Sequence, residues 1–286
     1  MSKRKPVNIA ASVKQRLLNV SRNRGEDFNF VLTRYCLERF LYRLAVSNFQ
    51  DRFILKGALL FSAWLDQPHR PTRDIDLAGH GDSSTEYLTT FFQEICQVTS
   101  PDDGVTFDPG SVEVTEIREE QTYGGQRVTI IAHLGQARTT VRVDVGYGDA
   151  ITPGAVETTI AEKLEAMVSL GMLNSRMKDF FDLWTMSTRL SFEGPVLVKA
   201  IRRTFERRST NLPDEIPIAL SESFYSNKDK MMQWNAFVKR IRAIEQTPSL
   251  SELIQNLSLF LWSPLRSASA NKTFEKTWNP GGPWSP

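Results

Sequence analysis

Three consecutive segments in the first half of the chain alternate Val or Ile with polar residues, at 112–119, 127–134 and 140–147. Because neighbouring side chains of a strand point to opposite faces, this alternation predicts strands with one buried and one polar face. Half-buried strands of this kind are typical of antiparallel pairing. The chain is therefore constrained to build a sheet whose apolar face other elements must cover.

Helical spacing of apolar residues dominates on both sides of these strands. Ahead of them we predict helices at 10–24, 26–47 and 85–98 and short strands at 53–55 and 74–78. After Pro153 and Gly154 the pattern turns helical, with predicted helices at 156–170, 177–190, 195–207, 229–244 and 250–260. This order favours an α+β domain over residues 1–152, followed by an all-α domain over residues 153–286.

Composition excludes several classes of protein. Hydrophobic residues make up 41% and charged residues 24% of the 286 residues, which is a globular balance. No run of eighteen apolar residues is present, and no apolar signal core follows the basic first residues. Two cysteines, Cys36 and Cys96, are too few for a disulfide framework. We therefore expect a soluble, cytoplasmic protein with no membrane partner.

Basic residues are concentrated in two places, although the net charge is only +2. Residues 1–50 carry ten Lys or Arg against three acidic residues. A second basic stretch, 199–208, supplies four candidates for contact with an RNA backbone: Arg202, Arg203, Arg207 and Arg208. Most charge runs of this kind are solvated helix faces, so the stretch indicates RNA binding only weakly.

The segment 72–77, Thr-Arg-Asp-Ile-Asp-Leu, carries the sharpest chemical signal. Asp74 and Asp76 are two residues apart on a predicted strand, which places both carboxylates on one face. Paired carboxylates suit Mg²⁺, an ion that also keeps waters and substrate phosphate oxygens among its ligands. Because the D-x-D pattern is common by itself, a solvent-facing strand end is the alternative interpretation.

Two neighbouring features favour the metal site. The strand at 53–55 leads into Lys56 and Gly57, where a glycine lets backbone N–H groups approach a phosphate at the start of a helix predicted over 58–65. Asp144 lies on a later apolar strand and supplies a third candidate metal ligand. This order, strand–glycine–helix, then D-x-D, then a lone Asp, resembles that of DNA polymerase β-like nucleotidyltransferases.

Longer segments resemble the AbiEii/AbiGii-type toxins of type IV toxin–antitoxin systems, at 34–44, 53–58, 157–167, 174–184 and 211–213. The resemblance implies a polymerase β-like nucleotidyltransferase domain with a mixed sheet, followed by a helical domain. It implies a Mg²⁺- or Mn²⁺-dependent enzyme that transfers a nucleotide from an NTP to tRNA, at the 3′ acceptor end. Blocked translation, growth arrest, a role in phage defence and a cognate antitoxin are further implications.

The resemblance also assigns roles to individual residues. Asp74 and Asp76 match the metal-binding acids, and Lys163 matches an essential lysine in the A-E-K-x-x-A helix. An essential acid of the K-D-x-x-D helix matches Asp179 or Asp182, and the spacing does not decide which. A structural ion pair between packed helices is the alternative role for Lys163 and these acids. The residues expected to bind the nucleotide are Lys56, Gly57, Arg73 and Lys163.

One segment departs from the family pattern. The connector 149–156 runs almost directly into the predicted helix, whereas the family carries a longer stretch there.

Three hypotheses about the function remain open. The chain is a tRNA-modifying nucleotidyltransferase, an enzyme that nucleotidylates a protein, or a nucleotide-binding module inactivated by the shortened connector.

Overall fold

A computed structural model describes residues 8–60, 72–117, 125–147, 155–241 and 247–286. The chain folds as two compact units, Met1–Asp149 and Ala150–Pro286. The predicted domain boundary at 152/153, nearly all of the 149–156 connector and the second half of the helix predicted over 58–65 lie outside the described residues.

The first unit is built on a five-stranded mixed sheet with the strand order β1-β2-β5-β4-β3. Its strands are β1 (Phe53–Lys56), β2 (Asp74–Gly79), β3 (Val105–Ile117), β4 (Gly125–Leu134) and β5 (Ala137–Tyr147). Strands β2 and β5 run parallel, and every other neighbouring pair is antiparallel. The sequence-based prediction of an α+β fold with a mixed sheet is confirmed.

One face of this sheet is buried against helices α1 (Ile9–Arg24), α2 (Phe28–Ala45) and α3 (Thr85–Gln97). Val128 of β4 and Val143 of β5 have no exposed surface there. Phe40 of α2 and Phe92 of α3 stack within the same core, with 5.9 Å between ring centroids. Because strand side chains alternate, the polar residues between these apolar ones lie on the opposite face.

Capping side chains explain why these helices begin close to the predicted residues. Asn8, Asp27 and Ser84 each accept a hydrogen bond from the backbone N–H three residues later. Such a bond satisfies one of the donors that the first turn leaves without an intrahelical partner.

Strand β3 begins at Val105, earlier than the predicted residue 112. Pro109 and Gly110 interrupt the alternation in the sequence, but the register shifts between Asp108 and Glu113, and this bulge lets the strand continue through them. A buried ion pair fixes the start of the strand: Arg43 Nη1 lies 2.8 Å from Asp103 Oδ2, and its Nη2 donates to the Val105 carbonyl.

The second unit is helical, as predicted. Its helices are α4 (Ala155–Leu170), α5 (Met177–Arg189), α6 (Gly194–Arg207), α7 (Glu222–Tyr225), α8 (Lys228–Ile241) and α9 (Leu250–Ser269). Helix α9 runs past the predicted end at residue 260 because Leu261, Leu265 and Ala268 continue its buried face past that residue. None of the helices in the described ranges combines the length and the apolar character needed to cross a bilayer.

The second unit also contains a small antiparallel sheet that the sequence pattern did not predict. It pairs β6 (Phe192–Glu193), β7 (Thr277–Trp278) and β8 (Trp284–Ser285). Strands of two residues are too short to show any alternation. Trp278 anchors this C-terminal segment, since its Nε1 donates to the Ser187 carbonyl at 2.7 Å and its ring packs against Phe260.

Candidate active site

Strand β2 presents two carboxylates on one face of the first unit. Ile75 and Leu77 are buried, at 0% and 2% exposure, so Asp74 and Asp76 both lie on the opposite, polar face. The Oδ1 atom of Asp74 is buried and has no hydrogen-bond donor among the described residues. A buried carboxylate oxygen of this kind is costly unless a cation or a ligand donor contacts it, which favours a binding role.

The turn after β1 lies directly against this pair. Lys56 is opposite Asp76 in the antiparallel register, and Gly57 follows with a φ of +70° as it begins a short 3₁₀ turn, Gly57–Leu59. A Cβ atom at Gly57 would lie 1.9 Å from Asp76 Oδ2. Glycine is therefore required twice over, by the left-handed backbone and by the space that the carboxylate occupies.

Two of the predicted nucleotide-binding cations lie beside the carboxylates. Arg73 is exposed and immediately precedes Asp74, while Lys56 is half-buried on the neighbouring strand. Lys56, opposite Asp76, therefore adds to the acidic groups suited to a cation a basic group suited to phosphate oxygens, and Arg73 lies next to them in the chain.

Asp144 lies next to Asp76 in the parallel register between β2 and β5. Its carboxylate is held by Arg127, which is opposite it on β4. Arg127 Nε donates to Asp144 Oδ1 at 2.8 Å, and Arg127 Nη2 donates to Oδ2 at 2.7 Å. These hydrogen bonds, together with the negative charges of Asp144, Asp74 and Asp76, raise the pKa of Arg127 above its ordinary value.

The predicted third metal ligand is thus an ion-pair partner in this geometry. Among the described residues, no group of three or more His, Cys, Asp or Glu side chains converges as a metal-binding cluster. Both oxygens of Asp144 accept hydrogen bonds from Arg127, so the candidate metal-binding pair is Asp74 with Asp76.

Arg127 is the residue of this site that sequence reasoning missed, although a signal was present. Gly135 and Gln136 form a two-residue turn between Leu134 and Ala137, and counting back from that turn places Arg127 opposite Asp144. The hairpin register was therefore sufficient to pair the two residues.

A second cluster of predicted site residues lies within the helical unit. Lys163 Nζ of α4 lies 2.5 Å from Asp179 Oδ1 and 2.9 Å from Asp182 Oδ2, both on α5. Asp179 also pairs with Arg176 Nε at 3.0 Å. The two carboxylates are almost completely buried, at 3% and 0% exposure. The structure therefore brings both candidate acids to Lys163, and it contains the interhelical ion pair that was the alternative interpretation.

The four candidate RNA-binding arginines have different environments. Arg202 donates to the carbonyls of Ser267, Ala268 and Lys272 and thereby satisfies the end of α9. Arg208 pairs with the buried Glu165 at 2.6 Å. Arg207 is partly buried, and Arg203 is exposed. Two of the four thus hold the helical unit together.

Sequence comparison places the chain among known toxins. The sequence model of the family described as nucleotidyl transferase AbiEii toxin, type IV toxin–antitoxin system, matches residues 39–157 and 155–256. The chain belongs to the AbiEii nucleotidyltransferase toxin family. Both clusters of this AbiEii-family protein, the carboxylates of β2 and the Lys163 ion pairs, lie inside the matched segments.

Comparisons with curated proteins and with solved structures give no further functional information. A search of curated proteins returned no match to this AbiEii-family chain. A Helicobacter pylori protein solved as a candidate nucleotidyltransferase is similar, with 14% identity and a TM-score of 0.47 over 83% of this chain and 96% of that one. JHP933 from Helicobacter pylori has 14% identity and a TM-score of 0.44, over 82% and 89%. With TM-scores below 0.5, neither likeness carries an argument about function.

Proposed function

We propose that this AbiEii-family protein is a divalent-metal-dependent enzyme that transfers a nucleotide from an NTP to tRNA, at its 3′ acceptor end. The observation that carries the proposal is the pair Asp74 and Asp76, on one sheet face, with a buried Asp74 oxygen that has no donor among the described residues. Family membership supplies the reaction class.

The residues present fit a hard cation. Two carboxylates on one strand face supply oxygen ligands, and the absence of a side chain at Gly57 leaves the Asp76 carboxylate its place. Asp74 and Asp76 would hold Mg²⁺, for which Mn²⁺ can substitute. When bound, the ion neutralises charge on the phosphate oxygens of the NTP. Asp144 already accepts hydrogen bonds from Arg127 through both of its oxygens, and the pair Asp74 and Asp76 is proposed to bind the ion without it.

The chain's own residues position the substrate. Backbone N–H groups of the turn that begins at Gly57 would donate to a phosphate, and Lys56 and Arg73 add positive charge beside the acidic pair. Catalysis of phosphoryl transfer consists mostly of positioning and charge stabilisation, so no side-chain nucleophile is required.

Lys163 has a separate role in the proposal. Its ammonium is held by Asp179 and Asp182, which fix the direction of a group that binds the triphosphate. In this interpretation the two acids act through Lys163 as positioning residues. The same contacts also stabilise α4 against α5, so the functional and structural roles have to be separated by experiment.

Exposed basic residues support RNA as the acceptor. Arg16, Arg22 and Arg24 of α1 are exposed, as is Arg203 of α6. Such side chains suit the phosphate backbone of an RNA, whose contacts are largely electrostatic. Transfer to the acceptor end of tRNA would block its aminoacylation, halt translation and arrest growth. A cognate antitoxin would be encoded with the toxin.

The test is transfer from each of four α-³²P-labelled NTPs to total tRNA in the presence of Mg²⁺. Asp76→Asn keeps the shape of the side chain and removes its charge, and Asp51→Asn makes the same change at an exposed position in the same unit. We expect label on tRNA with wild type and Asp51→Asn, and none with Asp76→Asn or after chelation by EDTA.

Three other results would contradict the proposal in different ways. Label that survives RNase treatment and migrates with protein would make a protein the acceptor. Nucleotide binding without any labelled product would favour the binding module. Equal transfer by wild type and Asp76→Asn would remove the carboxylate pair from the mechanism.

A further inference from the structure

Arg127 uses one edge of its guanidinium to bind Asp144. Asp144 accepts hydrogen bonds from Nε and Nη2, which form one edge of the planar group. Nη1 makes no hydrogen bond to any residue in the described ranges, and the side chain is 43% exposed. A guanidinium held in this way presents its remaining N–H groups in a fixed direction.

This guanidinium lies on the same face of the sheet as the proposed metal pair. Arg127, Asp144 and Asp76 occupy adjacent strands on the polar face, because Arg127 pairs with Asp144 and Asp144 pairs with Asp76 in the registers. Strand β5 therefore lies between the proposed metal pair on β2 and the anchored guanidinium on β4. Guanidinium groups match phosphate geometry through two parallel N–H donors, so an NTP whose phosphates approach the acidic pair also approaches Arg127.

We propose that Arg127 binds the phosphates of the nucleotide, and that Asp144 is the positioning residue that anchors it rather than a metal ligand. This inference rests on the proposed function, because it assigns residues to the same nucleotide site. It changes the role expected for Asp144 from the sequence. The two hydrogen bonds of 2.8 and 2.7 Å engage both carboxylate oxygens of Asp144 and hold them toward the guanidinium.

Metal binding separates the two roles of Asp144. Mn²⁺ affinity of the full chain can be measured by electron paramagnetic resonance, without any turnover, for wild type, Asp76→Asn and Asp144→Asn. If Asp144 anchors Arg127, Asp144→Asn leaves Mn²⁺ affinity unchanged while Asp76→Asn weakens it. If Asp144→Asn weakens Mn²⁺ binding as much as Asp76→Asn does, Asp144 is a ligand and the inference is overturned.

Phosphate binding tests Arg127 itself. Inorganic tripolyphosphate with Mg²⁺ is a probe that needs no knowledge of the preferred base, and its affinity can be measured by calorimetry. Because a charge-assisted hydrogen bond contributes about 1.5–3 kcal/mol, Arg127→Ala should weaken tripolyphosphate binding about 10- to 100-fold. Arg127→Lys keeps the charge but lacks the paired N–H donors of the planar guanidinium, so it should recover part of this loss.

Arg138 provides the matched control. It is exposed on the same face of β5 as Asp144, near the other end of the strand. Arg138→Ala removes the same charge and should leave tripolyphosphate affinity unchanged. If Arg138→Ala and Arg127→Ala lost similar amounts of tripolyphosphate affinity, the loss would come from the change in net charge. The proposed role of Arg127 would then be wrong.

The remaining outcomes are also decisive. Tripolyphosphate affinity that is undetectable in wild type, or unchanged in Arg127→Ala, overturns the inference. If Arg127→Ala does not fold, Arg127→Lys alone gives the answer through its loss of affinity relative to wild type. If Arg127 variants lose tripolyphosphate while Asp76→Asn keeps its Mn²⁺ affinity, the inference stands and the metal pair of the proposed function fails.

Discussion

Lys163 Nζ lies 2.9 Å from Oδ2 of Asp182, a carboxylate with no exposed surface. The same ammonium contacts Asp179, which is buried as well. Burying an unpaired charge is costly, so removing either partner of a buried ion pair destabilises the folded state. The relationship therefore has a structural consequence whether or not Lys163 binds a nucleotide.

Replacing the lysine should separate these two roles. Lys163→Met removes the cation from two buried carboxylates and should lower the free energy of unfolding by about 3–5 kcal/mol, the usual cost of breaking a buried pair. Adding Asp182→Asn removes one of the two buried negative charges and should restore part of that stability. Urea unfolding of the two single variants and the double variant measures this coupling.

Transfer activity in the same variants then decides the role of Lys163. If Lys163 binds the triphosphate, Lys163→Met combined with Asp182→Asn regains stability but not transfer. A double variant that regained both would show that Lys163 is only a structural partner. Asp182→Asn and Asp179→Asn compared singly would then show which acid the reaction depends on.

Gly57→Ala should abolish transfer through a steric effect on Asp76. The new Cβ would overlap the Asp76 carboxylate, which has to move away from its place beside Asp74. Gly25→Ala is the control, since Gly25 has a similar φ of +62° but no neighbouring atom within 4 Å of the position that the new methyl group would take. Both substitutions carry a left-handed backbone cost of roughly 1–2 kcal/mol.

Comparing Gly57→Ala with Gly25→Ala separates the effect on the Asp76 carboxylate from the backbone cost that both substitutions share. Thermal unfolding should show similar backbone destabilisation in both, whereas tRNA labelling and Mn²⁺ affinity should fall only in Gly57→Ala. If Gly57→Ala kept wild-type Mn²⁺ affinity, the position of Asp76 would not matter for metal binding.

The sequence was most informative where local periodicity decides the structure. Alternation on β2 correctly placed Asp74 and Asp76 on one face, because a strand side chain's direction depends only on its position. The pairing of Arg127 with Asp144 needed one further step, the hairpin register. The contacts of Lys163 with Asp179 and Asp182 depend on how α4 packs against α5, which no single-segment pattern contains.

The ion pair between Arg43 and Asp103 should make the first unit sensitive to acid. Burial by itself raises the pKa of Asp103, but the hydrogen bonds from Arg43 and from the Val105 N–H outweigh it and lower the pKa below the ordinary value. A lowered pKa in the folded state contributes stability above the unfolded-state pKa, about 3.9 for Asp. This contribution is lost as the pH falls through the folded-state value.

Asp103→Asn tests this linkage. At pH 7 the variant should be roughly 3–5 kcal/mol less stable than wild type, because Arg43 is left buried without its carboxylate. The difference should begin to shrink below about pH 4 and disappear as the pH falls through the lowered folded-state pKa of Asp103, where wild type also loses the charge. Urea unfolding at several pH values measures both. A difference that stays constant down to acid pH would show that the loss comes from packing and not from the ion pair.

Trp278 should hold the C-terminal segment on the helical unit. It is 1% exposed, donates from Nε1 to the Ser187 carbonyl at 2.7 Å and packs on Phe260 with 4.8 Å between ring centroids. Trp278→Ala should cost about 3–5 kcal/mol, as expected for a buried aromatic side chain. Trp278→Phe keeps most of the packing and should cost about 0.5–1.5 kcal/mol for one lost hydrogen bond, because the Gly281 N–H still donates to the Ser187 carbonyl at 2.9 Å.

Leu259→Ala is the control for this prediction, because Leu259 lies on α9 beside Phe260 but is 67% exposed. It should change the free energy of unfolding by less than about 0.5 kcal/mol. Circular dichroism during urea unfolding measures all three variants without relying on tryptophan fluorescence. If Trp278→Ala were as stable as Leu259→Ala, β7 and β8 would contribute nothing to the helical unit. The expected order, with Trp278→Phe between the other two, would instead make this short sheet a structural part of it.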